Sequence, residues 1–169
     1  MVNTELADFL AHSVELESEA RERYEELADS MALHHNDPVA QFFLCQAQEA
    51  SHHLEEVAEM AKGMALPDLK AWEFNWPEAE PPETTSYEAI YYRMSLRQAT
   101  SLALENEQAA ERYYRGVANS SGDNETAWIA GQFADEERSH VAKLEHLLEE
   151  RPENGANFRE EDDDPHMPE

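Results

Sequence analysis

The chain has 169 residues, of which 41% are hydrophobic, and a formal net charge of −26 from 38 acidic and 12 basic side chains. This length fits one domain, and this hydrophobic fraction excludes a wholly disordered chain. The acidic excess argues against nucleic acids and anionic membranes as partners, because phosphate binding needs basic patches. No stretch reads as a membrane span or a secretory signal, and there is a single cysteine, so we expect a cytoplasmic protein.

Apolar residues recur at helical spacing in four long stretches. The predicted helices cover residues about 4–31, 37–63, 95–118 and 125–150. Asn3 can cap the first helix, and Pro38 stands in the first turn of the second, where proline is tolerated. Ser95 and Gln98 have the spacing of a capping box at the start of the third. Almost nothing has the alternation of a strand, so the sequence predicts an all-α protein.

The connections between the predicted helices indicate their arrangement. The first and third connections are short, so each joins two antiparallel helices into a hairpin. The middle connection, about 64–94, is long enough to cross the whole length of a bundle. Two hairpins joined by one long crossover form a ferritin-like four-helix bundle, which we expect over residues 1–151. Residues 152–169 are acidic and lack apolar periodicity, which predicts a disordered tail.

Within the crossover, two features predict local structure. Residues 87–94 have the composition of a short additional helix. Trp72, Phe74 and Trp76 are expected to pack the crossover onto the bundle, and a contact with a second subunit is the alternative use of these aromatic side chains.

A repeated pattern carries the chemistry. The first and third helices share Glu-x-x-Ala-x-x-x-Tyr, from Glu17 to Tyr24 and from Glu107 to Tyr114. The second and fourth helices each carry Glu-x-x-His. These two pairs are Glu49 with His52 and Glu137 with His140. Each Glu-x-x-His pair alone is weak evidence, because salt bridges on helix surfaces produce the same spacing. Surface salt bridges do not explain why each pair follows a helix with the same Glu-x-x-Ala-x-x-x-Tyr pattern.

The repeat predicts a metal centre for an electrostatic reason. Residues three apart on a helix share a face, so the Glu and His of each pair can reach one point. Four glutamates facing a low-dielectric core repel one another strongly, whereas two divalent cations neutralise them. Bundles of this type bind two iron or two manganese ions through one Glu from each of two helices and Glu-x-x-His from the others. The six predicted ligands are Glu17, Glu49, His52, Glu107, Glu137 and His140.

The sequence also gives predictions for several side chains near the six ligands. Tyr24 and Tyr114 can hydrogen-bond ligand carboxylates from outside the metal shell, or serve as core residues. Glu56 and Glu105 are candidates for an additional ligand. We expect His53 to point away to a surface or interface. Cys45, also on the second helix, we expect to be a small buried apolar residue. Iron suits the predicted ligands, and manganese or zinc fits the same atoms.

The motifs resemble the rubrerythrin branch of the ferritin-like superfamily over roughly residues 5–150. The stretch Glu17-Ser-Glu-Ala-Arg-Glu-Arg-Tyr24 is close to the first-helix signature of that family. The resemblance implies that the six predicted ligands bind two iron ions, with Glu49 and Glu137 as bridges. It also implies reduction of peroxide or oxidation of Fe(II), in a homodimer.

Two departures separate this chain from rubrerythrins that carry an iron–sulfur rubredoxin domain. One cysteine cannot supply the four thiolates of that domain, so electrons must come from an external donor or from Fe(II) itself. Ala110 stands where those proteins have an additional glutamate. The leading hypothesis is a di-iron oxidoreductase acting on O2 or H2O2. The alternative is a non-catalytic metal-binding or iron-delivery module.

Overall fold

The computed structural model describes residues 3–68 and 92–151. They form four helices: α1 (Thr4–Leu33), α2 (Asp37–Met60), α3 (Leu96–Ser120) and α4 (Asn124–Glu150). No strand occurs in either described segment, and none of their helices is long and apolar enough to cross a membrane. The all-α prediction is confirmed, and the helix ends fall within a few residues of the predicted ones.

Some predictions fall outside the described residues. They concern Trp72, Phe74 and Trp76, the greater part of the crossover and the acidic tail 152–169. Of the short helix expected over 87–94, the structure describes only the end. There Tyr92 and Arg93 lie in a turn, so this part of the expectation is wrong.

Side chains at the helix starts explain where the helices begin. The Asn3 side chain accepts a hydrogen bond from the backbone N–H of Leu6 and so caps α1. Ser95 and Gln98 form both bonds of the capping box of α3, at 3.0 and 2.8 Å. The Asp123 side chain caps α4 by accepting from the backbone N–H of Thr126. Each cap satisfies backbone donors that have no partner within the helix.

Contacts between helix starts fix the topology. The Asn3 side chain donates to Asp123 at 2.9 Å, which places the starts of α1 and α4 at one end of the bundle. The Asn36 side chain donates to the carbonyl of Met94 at 2.9 Å, which places the starts of α2 and α3 at the other end. Helices α2 and α3 are therefore parallel, as the predicted crossover requires.

The apolar interior consists of two clusters with a polar layer between them. One cluster includes Ala20, Ala50, Ala103 and Leu144, and the other includes Leu16, Val57, Ala110 and Ala134. Each helix passes from one cluster to the other, and at that crossing it carries a buried polar side chain. These four side chains are Glu17, His53, Glu107 and Glu137. The fold thus places one polar residue from every helix at the same level of the bundle.

Candidate metal centre

The polar layer is almost completely removed from solvent. Glu17 and His53 are each 2% exposed, Glu107 is 5% exposed and Glu137 is 1% exposed. An ionised carboxylate in such a place costs several kcal/mol (about 20 kcal/mol in the idealised limit) unless a charge or hydrogen bonds compensate it. Three buried carboxylates at one level therefore call for positive charge.

His53 lies between two of these carboxylates. Its Nδ1 is 2.9 Å from Oε1 of Glu17 and 3.1 Å from Oε1 of Glu137. The hydroxyl of Tyr114 also donates a hydrogen bond to Oε1 of Glu17, at 2.9 Å. Four helices thus contribute to one contact network, because these residues lie on α1, α2, α3 and α4.

Glu137 connects two groups of potential ligands. Its Oε1 faces His53, whereas its Oε2 lies 3.4 Å from Nδ1 of His140. Potential ligand atoms of Glu17, His53 and Glu137 all lie within 4.8 Å of one another, and so do those of Glu107, Glu137 and His140. The two groups share only Glu137. A carboxylate in this position can bridge two cations, one on each side.

The ionisation of the layer follows from burial and neighbouring charges. Burial raises the pKa of Glu17. Burial alone lowers the pKa of His53, but the charges and hydrogen bonds of Glu17 and Glu137 outweigh burial and raise it to about 11. Burial also acts to raise the pKa of Glu137, yet hydrogen bonds with His140, His53 and Glu107 hold that pKa below its usual range. Without metal, a protonated His53 therefore compensates the buried carboxylates.

The structure brings four of the six predicted ligands together and leaves two outside. Glu17, Glu107, Glu137 and His140 belong to the two groups that share Glu137. The side chain of His52 is 74% exposed and lies 3.3 Å from Glu56. Its neighbour His53 takes the buried place, so the expectation that His53 points to a surface or interface is wrong.

Glu49 lies at the edge of the layer instead of within it. Its Oε2 is 3.5 Å from Nε2 of His140, and its Oε1 is 2.8 Å from Nζ of Lys143. The prediction that Glu49 and His52 bind metal stays a prediction, but the geometry of the layer favours other residues.

The buried face of α2 explains this difference. The buried positions in this part of the helix are Gln46, Ala47, Ala50, His53 and Val57, and the last three of them recur at intervals of three and four residues. A change of one residue turns a side chain by about 100° around the helix axis. Glu49 and His52 therefore face the rim of the layer while His53 faces the centre.

Ala50 is the residue that corresponds to Glu137. It precedes His53 by three positions, as Glu137 precedes His140, and it is buried, with 8% exposed. Helix α2 thus brings a histidine but no carboxylate to the layer. The sequence contained a signal for this register, because Val57 follows His53 by four positions as the buried Leu144 follows His140.

The remaining candidates differ in their environment. Tyr114 contacts Glu17 as described, whereas the buried Tyr24 packs against Phe43, with 6.1 Å between ring centroids. A role of Tyr24 beside a metal ligand stays a prediction. Glu105 is exposed, and Glu56 lies at intermediate exposure near the surface end of His52. Cys45 is exposed, so the expectation of a buried thiol is wrong.

A cleft of about 420 Å³ leads to the layer from the side of α2 and α4. Two of its lining residues, His53 and His140, belong to the layer. The others lie nearer the surface and are Cys45, Gln48, Glu49, His52, Glu136 and Lys143. At its outer end, burial and a hydrogen bond with Glu56 raise the pKa of Glu136 to about 7. The cleft therefore opens from solvent to His140, whose side chain is 25% exposed, and ends at the buried ring of His53.

The donor set fits a transition-metal centre. Three buried carboxylates and two imidazoles offer the oxygen and nitrogen atoms that iron, manganese and zinc accept. Nδ1 and Nε2 of His53 and Oε2 of Glu137 are buried without a hydrogen bond of good geometry among the described residues. These atoms are those that a cation would contact.

Comparisons with known proteins identify the family of the chain. The family model described as Rubrerythrin matches residues 8–148. The chain is also similar to a crystal structure of an uncharacterized conserved protein from Magnetospirillum magnetotacticum MS-1. The two are 36% identical with a TM-score of 0.67, over 86% of this chain and 95% of that one. The comparison with curated proteins gave no match. The family model covers most of the chain, and the chain forms a four-helix bundle with a buried layer of carboxylates and histidine. This chain therefore belongs to the rubrerythrin family.

Proposed function

We propose that the chain binds two iron ions in the buried layer and acts as an oxidoreductase that oxidises Fe(II) or reduces O2 or peroxide. The observation that carries the proposal is the position of Glu137, whose two carboxylate oxygens face two different histidines. Glu17 and His53 would hold one ion, Glu107 and His140 the other, and Glu137 would bridge them. Manganese or zinc fits the same atoms.

The residues around the layer would fix these ligands. The hydroxyl of Tyr114 orients Glu17 through its hydrogen bond. The outer nitrogen of His140 faces Glu49, which Lys143 holds in place. A carboxylate at the outer nitrogen of a ligating histidine fixes the ring and its tautomer. We therefore propose that Glu49 orients His140 instead of bridging the ions.

Access to the layer supports a reaction with a small oxidant. Bound iron would supply electrons by changing between the Fe(II) and Fe(III) states. Ala50 leaves the α2 side of the layer without a carboxylate, and the cleft opens to both histidines from that side. A diatomic or peroxide-sized molecule could enter there. The electrons would come from an external donor or from Fe(II) as substrate. We propose a cytoplasmic homodimer as the working state.

Metal analysis of protein purified without added metal tests the binding. We expect bound iron in the unmodified protein and its loss in Glu137→Ala. Glu145→Ala, which removes an exposed acid from the same helix, should retain the metal. Iron content unchanged in Glu137→Ala would overturn the proposed site.

Stopped-flow absorbance tests the turnover. Protein loaded with Fe(II) is mixed with O2 or H2O2, and oxidation faster than that of free Fe(II) supports the oxidoreductase. Metal binding without faster oxidation would instead support a non-catalytic metal-binding or iron-delivery module.

A further inference from the structure

A second group of potential ligands lies outside the buried layer, where the cleft opens. It consists of Glu56 on α2 and Glu136 on α4, with His53 behind them and His52 at the surface. Potential ligand atoms of His53, Glu56 and Glu136 lie within 4.8 Å of one another. His52 extends the group, since its Nε2 is 3.3 Å from Oε1 of Glu56.

The charge balance differs between the two ends of the cleft. At one end Lys143 neutralises Glu49 at 2.8 Å. At the other end, no lysine or arginine within residues 3–68 and 92–151 pairs with Glu56 or Glu136. Two carboxylates within hydrogen-bonding reach of each other repel when both are ionised, and a divalent cation between them removes that repulsion. Among the described residues, the outer pair has only the charge of His53, which Glu17 and Glu137 share, whereas Glu49 has a lysine of its own.

The side chain of His53 points its second nitrogen into this group. Its Nε2 is buried and lies 3.3 Å from Oε2 of Glu136, and no hydrogen bond satisfies it among the described residues. Its Nδ1 faces Glu17 and Glu137 in the layer. One imidazole ring thus separates an inner set of carboxylates from an outer set.

We propose that Glu56, Glu136 and His52 form a second, weaker site for a divalent first-row metal ion, which holds the ion at the mouth of the cleft before it enters the buried layer. This proposal rests on the proposed metal binding by the layer. Mixed carboxylate and imidazole ligation selects ions such as Fe(II), Mn(II) and Co(II). Weaker binding follows from exposure, because Glu56 and Glu136 side chains are 37% and 39% exposed and His52 is 74% exposed.

The shared histidine makes the two sites sequential. An imidazole that binds a cation through one nitrogen normally carries a proton on the other, so it does not bind two cations at once. While the layer is empty, an ion at the mouth can displace the proton from Nε2 of His53, and that nitrogen then joins Glu56 and Glu136 around the ion. Once Nδ1 binds in the layer, the outer group loses this ligand. The ion at the mouth is then held by fewer atoms and exchanges readily with solvent.

Equilibrium dialysis and stopped-flow mixing with Co(II), whose visible absorption reports its ligands, test the outer site. The unmodified protein should bind Co(II) tightly in the layer and one further equivalent of Co(II) more weakly at the outer site. Glu56→Gln should lose the weaker equivalent and fill the layer about tenfold more slowly at low ionic strength. Its final absorption from the layer should not change. The control Glu55→Gln removes the same charge from an exposed neighbour on α2 and should behave as the unmodified protein.

Two further variants separate the possible failures. The double variant Glu17→Gln, Glu137→Gln should keep the weaker equivalent and lose the tight ones. If it retains the tight equivalents, the proposed layer site fails. If Glu56→Gln binds and fills like the unmodified protein, the outer site is overturned. It is also overturned if Glu136→Gln weakens binding in the layer while Glu56→Gln has no effect, because Glu136 would then act only by positioning His53.

Discussion

Nδ1 of His53 and Oε1 of Glu137 lie 3.1 Å apart in the interior of the bundle, although the two residues belong to different hairpins. Buried ion pairs are weak evidence for stability, because well-packed hydrophobic residues in their place are often neutral or stabilising. The pair joins the hairpins at the level where Glu17 and Glu107 are also buried. The proposed metal binding would give this costly arrangement a function that packing does not.

Replacing His53 should affect both metal content and stability. His53→Ala removes a ligand from one of the two groups, so we expect metal affinity at least about tenfold lower. In metal-free protein it leaves Glu17 and Glu137 buried without their partner, which should cost about 3–5 kcal/mol of unfolding free energy. Metal titration and urea denaturation measure the two effects.

The matched control is the adjacent histidine. His52→Ala should leave both the equilibrium metal content of the layer and the metal-free stability nearly unchanged, since its side chain is 74% exposed. Loss of the tight metal from His52→Ala but not from His53→Ala would show that α2 has the other register when metal is bound.

Ala50→Glu should add a fourth buried carboxylate to the layer, on the side of α2. In metal-free protein this adds a buried charge beside Glu17 and Glu137, so we expect a lower Tm than that of the unmodified protein. Added Mn(II) should raise the Tm of this variant by more than that of the unmodified protein, because the new carboxylate can bind the cation. Ala50→Gln has a similar volume without the charge and should show no such increase. An equal response of both variants to Mn(II) would contradict the placement of Ala50.

Much of the fold follows from the sequence because its signals are local. Helix caps such as Asn3 and the Ser95–Gln98 pair depend on a few adjacent residues, and the structure forms them as predicted. The topology follows from connection lengths. In α1, α3 and α4 the apolar stripes include Glu17, Glu107 and Glu137, so the repeat and the stripe indicate the same inward face.

In α2 the motif and the stripe disagree by one residue. The Glu-x-x-His spacing selects Glu49 and His52, and the same face includes Cys45. The structure buries the adjacent face, which includes Ala50 and His53. This single rotation accounts for the wrong expectations for Cys45 and His53 and for the outer position of Glu49. Adjacent histidines made the motif ambiguous, and only the packing of α2 against its neighbours decides between them.

The contact between Tyr114 and Glu17 should be worth about 1–3 kcal/mol, as expected for a buried hydrogen bond to a carboxylate. Tyr114→Phe removes only the hydroxyl, so the ring can keep its packing against Phe9 and Phe133. A double-mutant cycle with Glu17→Gln, measured by urea denaturation of metal-free protein, isolates the coupling. Additive effects of the two substitutions would contradict a direct contact.

Asp123 should make the stability depend on pH in the acid range. Hydrogen bonds from Asn3 and Thr126 lower the pKa of Asp123 below its usual value of 3.8. Because the pKa is lower in the folded state, the ionised carboxylate stabilises the fold at pH values above the unfolded-state pKa, and this contribution is lost as the pH falls below about 3.8.

Replacement of Asp123 by asparagine tests this contribution. Because asparagine is an equally good cap, Asp123→Asn removes chiefly the charge, and we expect a Tm about 1–3 °C lower at pH 7. Thermal unfolding at decreasing pH should show this difference shrinking below pH 3.8, whereas Asp29→Asn, on an exposed part of α1, should show little difference at any pH. A Tm difference for Asp123→Asn that persists unchanged at acid pH would contradict the role of the carboxylate.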